Sequence, residues 1–259
     1  MRIRYIDKGI SYFQAFIWVQ TIGLVNFLGA FYLNDFYSTS IGRASVNAIA
    51  LGIPIYFLGK SIEEKKISLG LKNKSSILYG FLIGISLFCI YELIYYLSYF
   101  VSVSNIDISI LVEGNLLTNK MRHNALSILI VSPVLEEVFF RGVLVNRLSK
   151  KYQNWAVYIF ISIVFTLAHI EYHFDFGYYT KLFFLSIVLC IFYDKSKSIV
   201  GTVLIHFTYN ASFYAYRYIT SKLLEDYSPP FTYVTLLALM ILLSFIGIYL
   251  FFKKHTHIT

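Results

Sequence analysis

Eight long apolar runs follow one another along the chain, at about residues 12–33, 44–59, 76–102, 124–146, 154–172, 179–193, 198–218 and 231–252. A helix crosses a bilayer with roughly 17–25 residues, and most of these runs reach that length. A soluble domain of 259 residues buries a large core, but it does not string such runs end to end. Charged residues make up only 14% of the chain and hydrophobic ones 58%, whereas soluble domains carry about 25% charged residues. Inside lipid each backbone polar group needs a partner within its own segment, so the expected fold class is all-α: a polytopic membrane helix bundle of about eight transmembrane helices. The runs at 44–59 and 179–193 are short and need tilt or flanking residues to span.

The net charge of +8 raises the question of nucleic acid. The Lys and Arg residues sit in the gaps between apolar runs rather than on one basic face, which excludes nucleic acid as the partner and leaves the bilayer. With the N-terminus inside, the inner segments and run ends hold 15 of the 22 Lys and Arg residues and the outer ones 6, which leaves over Arg141, within a run. That bias predicts a multi-pass protein of the plasma membrane with both termini cytoplasmic. Tyr95, Tyr96, Tyr99, Tyr178 and Tyr179 cluster near run ends, where interfacial anchors belong. The basic stretch Met1–Lys8 precedes a run long enough to span and without a small-x-small cleavage site, so it reads as the start of an uncleaved first helix. Cys89 and Cys190 lie in apolar runs and form neither a CxxC motif nor a disulfide framework. No repeat or linker divides the chain, which is expected to form a single membrane domain over residues 1–259.

Ionisable groups are costly in a bilayer, so each one inside a run is a functional candidate. The fourth run contains Ser132-Pro133-Val134-Leu135-Glu136-Glu137-Val138-Phe139-Phe140-Arg141-Gly142. Glu137 and Arg141 are four residues apart and can pair on one helix face. Glu136 is left without a sequence-local partner, and a desolvated carboxyl of that kind is suited to general-base work. Pro133 removes a backbone hydrogen bond one turn earlier and can bend the helix around a polar cavity. The fifth run ends with Phe165-Thr166-Leu167-Ala168-His169, and the seventh places His206 and Asn210 four residues apart. Counting ~1.5 Å per residue from the inner ends, Glu136 lies ~15 Å deep, His169 ~22 Å, His206 ~12 Å and Asn210 ~18 Å. Groups from three runs thus fall in one mid-membrane layer.

This ordered set, Ser-Pro-x-x-Glu-Glu-x-x-x-Arg-Gly, then Phe-x-x-x-His, then His-x-x-x-Asn, resembles the CPBP family of intramembrane glutamic proteases, which includes the CAAX-prenyl endopeptidases and the bacterial bacteriocin-processing or immunity ("Abi") proteins. The likeness covers a catalytic core of about 124–218; the remaining helices agree only in hydropathy. The resemblance implies that Glu136, with His169, activates a water for attack on a peptide carbonyl. His206 and Asn210 would donate hydrogen bonds to the oxyanion, and Glu137 with Arg141 would support and orient Glu136. The implied substrate is a membrane-associated peptide or protein. The family's eukaryotic branch cleaves after a prenylated cysteine, but no prenyl groove is legible here, and the bias toward Phe, Tyr, Ile and Lys fits a low-GC bacterium.

Blander readings exist for each residue. Glu137 and Arg141 also read as a structural ion pair, Phe165 as packing, and Asn210 as interhelical glue. His169-Ile170-Glu171-Tyr172-His173 superficially resembles a zinc motif, but in HExxH the Glu directly follows the first His. No cofactor is therefore expected, with metal the weaker option. Two other functions share the motif set: a non-hydrolytic bacteriocin-immunity or signalling protein that keeps the protease architecture, and a proton-coupled transporter, which the lack of an inverted repeat disfavours. Glu92, inside the third run, has no sequence-level account.

Overall fold

Every apolar run folds as helix where the chain is described, and no strand occurs among the described residues. The computed structural model describes residues 10–37, 39–59, 74–102, 125–169 and 176–225, with scattered helical positions (238, 239, 242, 245, 246, 249 and 253) beyond them. Helix α1 (Tyr12–Tyr32) opens on a reciprocal cap. The Gln14 amide donates to Ser11 Oγ at 3.2 Å, and the Ser11 amide donates to Gln14 Oε1 at 2.9 Å. A short α2 (Asn34–Tyr37) leads into α3 (Ser40–Gly59), which carries Pro54 internally, and α4 spans Lys74–Ser102.

Helix α5 changes pitch along its length. It runs without a break through a π-helical stretch, Ser127–Val131, an α-helical turn and a half, Ser132–Glu137, a second π-helical stretch, Val138–Val145, and a last α-helical turn, Asn146–Leu148. Widened turns of this kind recur at functional sites, and here they flank the adjacent glutamates. Helix α6 (Asn154–Leu167) follows, then α7 (Phe176–Ser196) and α8 (Ile199–Glu225). The α7–α8 link is only two residues long. Lys197 adopts a left-handed φ of 49°, and Ser198 Oγ accepts the Gly201 amide at 3.1 Å to cap α8.

Helix α5 packs against α3, α6, α7 and α8, so its motif residues face neighbours on several sides. One buried cluster joins α1, α3, α5, α6 and one side of α7 through residues such as Ala15, Leu51, Phe139, Leu144, Ile161 and Cys190. A second joins α4, α8 and the other side of α7 through Ile83, Phe88, Cys89, Leu189 and Ile205. In lipid, helices gain little from burying apolar surface against one another, so close approach through small residues carries the association. Gly80 and Gly84 of α4 supply it. A Cβ on Gly80 would stand 2.6 Å from the Gly201 carbonyl oxygen, and one on Gly84 would stand 2.6 Å from that of Ile205 and 2.8 Å from Thr208 Cβ. The α8 register that carries His206 and Asn210 is set by this backbone-to-backbone contact.

The all-helical class stands, and the count of eight spans is not confirmed. Four segments among the described residues are long and apolar enough to cross a membrane: Tyr12–Tyr32, Ile41–Leu58, Ser75–Ile94 and Phe176–Ser196. Helix α6 is apolar but shorter. Helix α5 is divided by its changes of pitch, and α8 combines the site residues with Arg217, Lys222 and Glu225. The run at 231–252 lies outside the described residues apart from scattered positions. The fifth run is also shorter than expected: α6 ends at Leu167, which places Ala168 and His169 in a turn at its end. Tyr179, expected as an interfacial anchor, is buried in the core instead.

Candidate active site

The site starts from Arg141. Its guanidinium is fully buried, as is Glu137, and Arg141 Nη1 donates to Glu137 Oε1 at 2.9 Å. The second guanidinium nitrogen donates to Ser186 Oγ at 2.9 Å and to the Ser186 carbonyl at 3.3 Å, tying α5 to α7. The Phe165 ring lies 5.0 Å and the Phe140 ring 5.8 Å from the guanidinium carbon, so aromatic faces cover the charge where lipid would not solvate it. These contacts offset part of the cost of the buried charge pair, although Arg141 Nε and Glu137 Oε2 keep no hydrogen bond.

Helix α8 adds a third member. His206 Nδ1 lies 3.0 Å from Glu137 Oε1, the oxygen that also accepts from Arg141. A carboxylate so paired can only accept, so Nδ1 carries the proton and donates. The expected ion pair is present, but the hydrogen bonds of Glu137 run to Arg141 and His206 rather than to Glu136. Glu137 therefore holds the imidazole of α8 more directly than it holds its neighbour.

Glu136 faces a different group. Its Oε2 is buried and makes no hydrogen bond, and His169 Nε2 stands 3.7 Å away. The side chains are 13% and 26% exposed, so this pair lies nearer an opening than the Glu137 network does. The spacing Phe165-x-x-x-His169 acquires a local reason. At the end of α6 the His169 amide donates back only three residues, to Thr166 O at 3.0 Å, which leaves the Phe165 carbonyl to the imidazole. His169 Nδ1 sits 2.7 Å from that oxygen. A carbonyl cannot donate, so Nδ1 carries a hydrogen and Nε2 is the ring nitrogen that faces Glu136. The Phe165 ring packs 4.6 Å from the His169 ring and 6.0 Å from that of His206, wedging the two apart.

Asn210, one turn beyond His206, donates from Nδ2 to the Ile128 carbonyl at 3.0 Å. All six residues singled out in the sequence are thus brought onto or against α5, in two sets: Glu136 with His169, and Glu137 with Arg141 and His206, while Asn210 reaches α5 separately. Sequence reasoning missed Ser186, a small polar residue inside an apolar run, and the structural part played by the Phe165 carbonyl. No group of three metal-ligating side chains occurs among the described residues, and Glu171 and His173 lie outside them. Glu92 is buried on α4. The Lys181 ammonium stands over the rings of Tyr91, Phe213 and Tyr178, at 4.4, 4.8 and 5.1 Å. Lys181 is therefore part of the packed bundle and not of a loop.

Residues 119–212 match the family model described as type II CAAX prenyl endopeptidase Rce1-like, a segment that contains every one of these six residues. This part of the chain is similar to the CAAX-protease family. No curated protein and no solved structure matches the chain. The Rce1-like segment runs from the approach to α5 into α8, so α1, α2, α3 and α4 lie wholly outside it. The family that this model describes is one of CAAX prenyl endopeptidases.

Proposed function

We propose that the protein is an intramembrane glutamic endopeptidase that hydrolyses a peptide bond of a membrane-associated peptide or protein. The observation that carries this reading is the facing of Glu136 Oε2 and His169 Nε2 across 3.7 Å from two helices. That gap is too long for a direct hydrogen bond and suits a shared water. Both atoms accept, so one water can give a hydrogen to each and keep its lone pair for a substrate carbonyl. Glu136 then takes the proton as the water attacks and returns it to the leaving amine, which leaves the carboxylate as it began.

The tetrahedral oxyanion needs donors placed in advance. Asn210 has a second Nδ2 hydrogen beyond the one given to Ile128. His206, its Nδ1–H held by Glu137, donates through Nε2 when both ring nitrogens carry hydrogen. The role of Glu137 and Arg141 is then to hold His206 in place beside the Glu136 turn. The chain crosses the membrane several times with both ends cytoplasmic, as its Lys and Arg distribution indicates.

Purified wild-type protein and Glu136→Gln, incubated with bacterial precursor peptides and with a prenylated peptide, test the reading. Cleavage by the wild type alone, unaffected by chelator, is the expected result. Chelator-sensitive cleavage replaces the glutamic mechanism with a metal one. No cleavage of any peptide by either form points to a protease architecture kept for immunity or signalling.

A further inference from the structure

The first widened turn of α5 is held from two sides by asparagines. In the Ser127–Val131 stretch the Ser132 amide donates back five residues to the Ser127 carbonyl. The same ladder would supply Ile128 O from residue 133, but that residue is Pro133 and has no amide hydrogen. The Ile128 carbonyl is therefore available, and the Asn210 carboxamide fills it at 3.0 Å. On the opposite side Asn47 of α3 donates to Ser127 Oγ at 3.1 Å and to Ser132 Oγ at 3.0 Å. These hydroxyls stand 3.4 Å apart at the two ends of the turn, so one side chain staples it.

We infer that Asn47, outside the Rce1-like segment, is a positioning residue that fixes this turn so that the Ile128 carbonyl orients the Asn210 amide. It does not touch the reacting atoms. With one Nδ2 hydrogen anchored on Ile128, the carboxamide cannot rotate its oxygen into the site, and the remaining hydrogen keeps one direction. Pro133 gains a second role: it frees the carbonyl that does the anchoring. The inference deepens the protease reading and rests on it for the use made of Asn210, though the linkage from Asn47 to Asn210 is a structural claim in its own right.

A double-mutant cycle tests it, with cleavage measured for wild type, Asn47→Ala, Asn210→Ala and the double variant. Asn47→Ala is expected to lower kcat on the order of 10–100-fold with KM little changed. The same substitution should cost little more in the Asn210→Ala background, because the group it positions is already gone. Equal losses in both backgrounds, or no loss at all, overturn the inference. Should Asn47→Ala fail to fold, Ser127→Ala and Ser132→Ala each keep one of its two hydrogen bonds and are expected to show the same non-additivity at smaller size. A readout independent of turnover is the side-chain amide signal of Asn210 in 15N-labelled protein, identified by its loss in Asn210→Asp. It should shift in Asn47→Ala. A shift in a protein that cleaves nothing leaves the inference standing and removes the protease reading; an unmoved signal in an active enzyme removes the inference.

Discussion

Glu136 and Glu137 are adjacent in sequence and occupy two different environments. Glu137 points into the protein, where Arg141, His206, Ser186 and two aromatic rings form a closed network around a fully buried charge pair. Glu136 points to a more open side, where one carboxyl oxygen has no hydrogen bond and a single imidazole stands at near-contact distance. One residue of helical rotation, about 100°, is enough to separate a group used for construction from one left for chemistry. Each carboxylate keeps one buried oxygen without a hydrogen bond, so the difference lies in the other contacts: Glu137 Oε1 accepts from both Arg141 and His206, whereas Glu136 faces His169 across 3.7 Å.

Substitutions that respect shape can break this contrast. The largest effect expected is on rate: Glu136→Gln keeps the volume and removes the base, and should lower kcat by about 10²–10⁴-fold, measured as cleavage in detergent or nanodiscs. Arg141→Leu should act on folding instead. It leaves Glu137 as a buried charge without its counter-ion, at a cost of about 3–5 kcal/mol, visible as a large fall in thermal melting temperature. Gly84→Leu drives a side chain into the α8 backbone at Ile205 and should destabilise by about 1–3 kcal/mol. Because it moves the helix that carries His206 and Asn210, its kcat should fall further than its stability alone explains. Ser186→Ala removes one interhelical hydrogen bond to Arg141, with an expected cost of roughly 0.6–1.7 kcal/mol and little change in KM. A Ser186→Ala protein that lost all activity at unchanged stability would place chemistry on the closed side and blur the distinction.

The open side was largely legible in the sequence, and the closed side only in part. Glu136, His169, His206 and Asn210 stand out because ionisable and amide groups are rare within apolar runs, and the Glu137–Arg141 spacing announces a pair. The partner of that pair did not follow from spacing. His206 is 69 residues from Glu137, and only the packing of α8 on α5 shows that Glu137 serves it. The π-helical turns were also invisible, because a change of pitch over five residues leaves too few apolar positions to shift the periodicity. The extent of the fifth run was missed for a related reason. Hydropathy continued the fifth run to residue 172, whereas the backbone tightens after Leu167 so that the Phe165 carbonyl can hold an imidazole. Gly80 and Gly84, four apart in an apolar run, were a readable sign of close helix contact that an average over the run does not register.

A paired substitution addresses the division between the two carboxylates most directly. Glu136→Gln and Glu137→Gln, prepared side by side in the same membrane mimic, are compared in melting temperature and in cleavage of a peptide that the wild type cuts. The account predicts that Glu136→Gln melts at or above the wild-type temperature and cleaves nothing, while Glu137→Gln melts well below it. A Glu136→Gln protein that still cleaves, or a Glu137→Gln protein as stable as wild type, would contradict it.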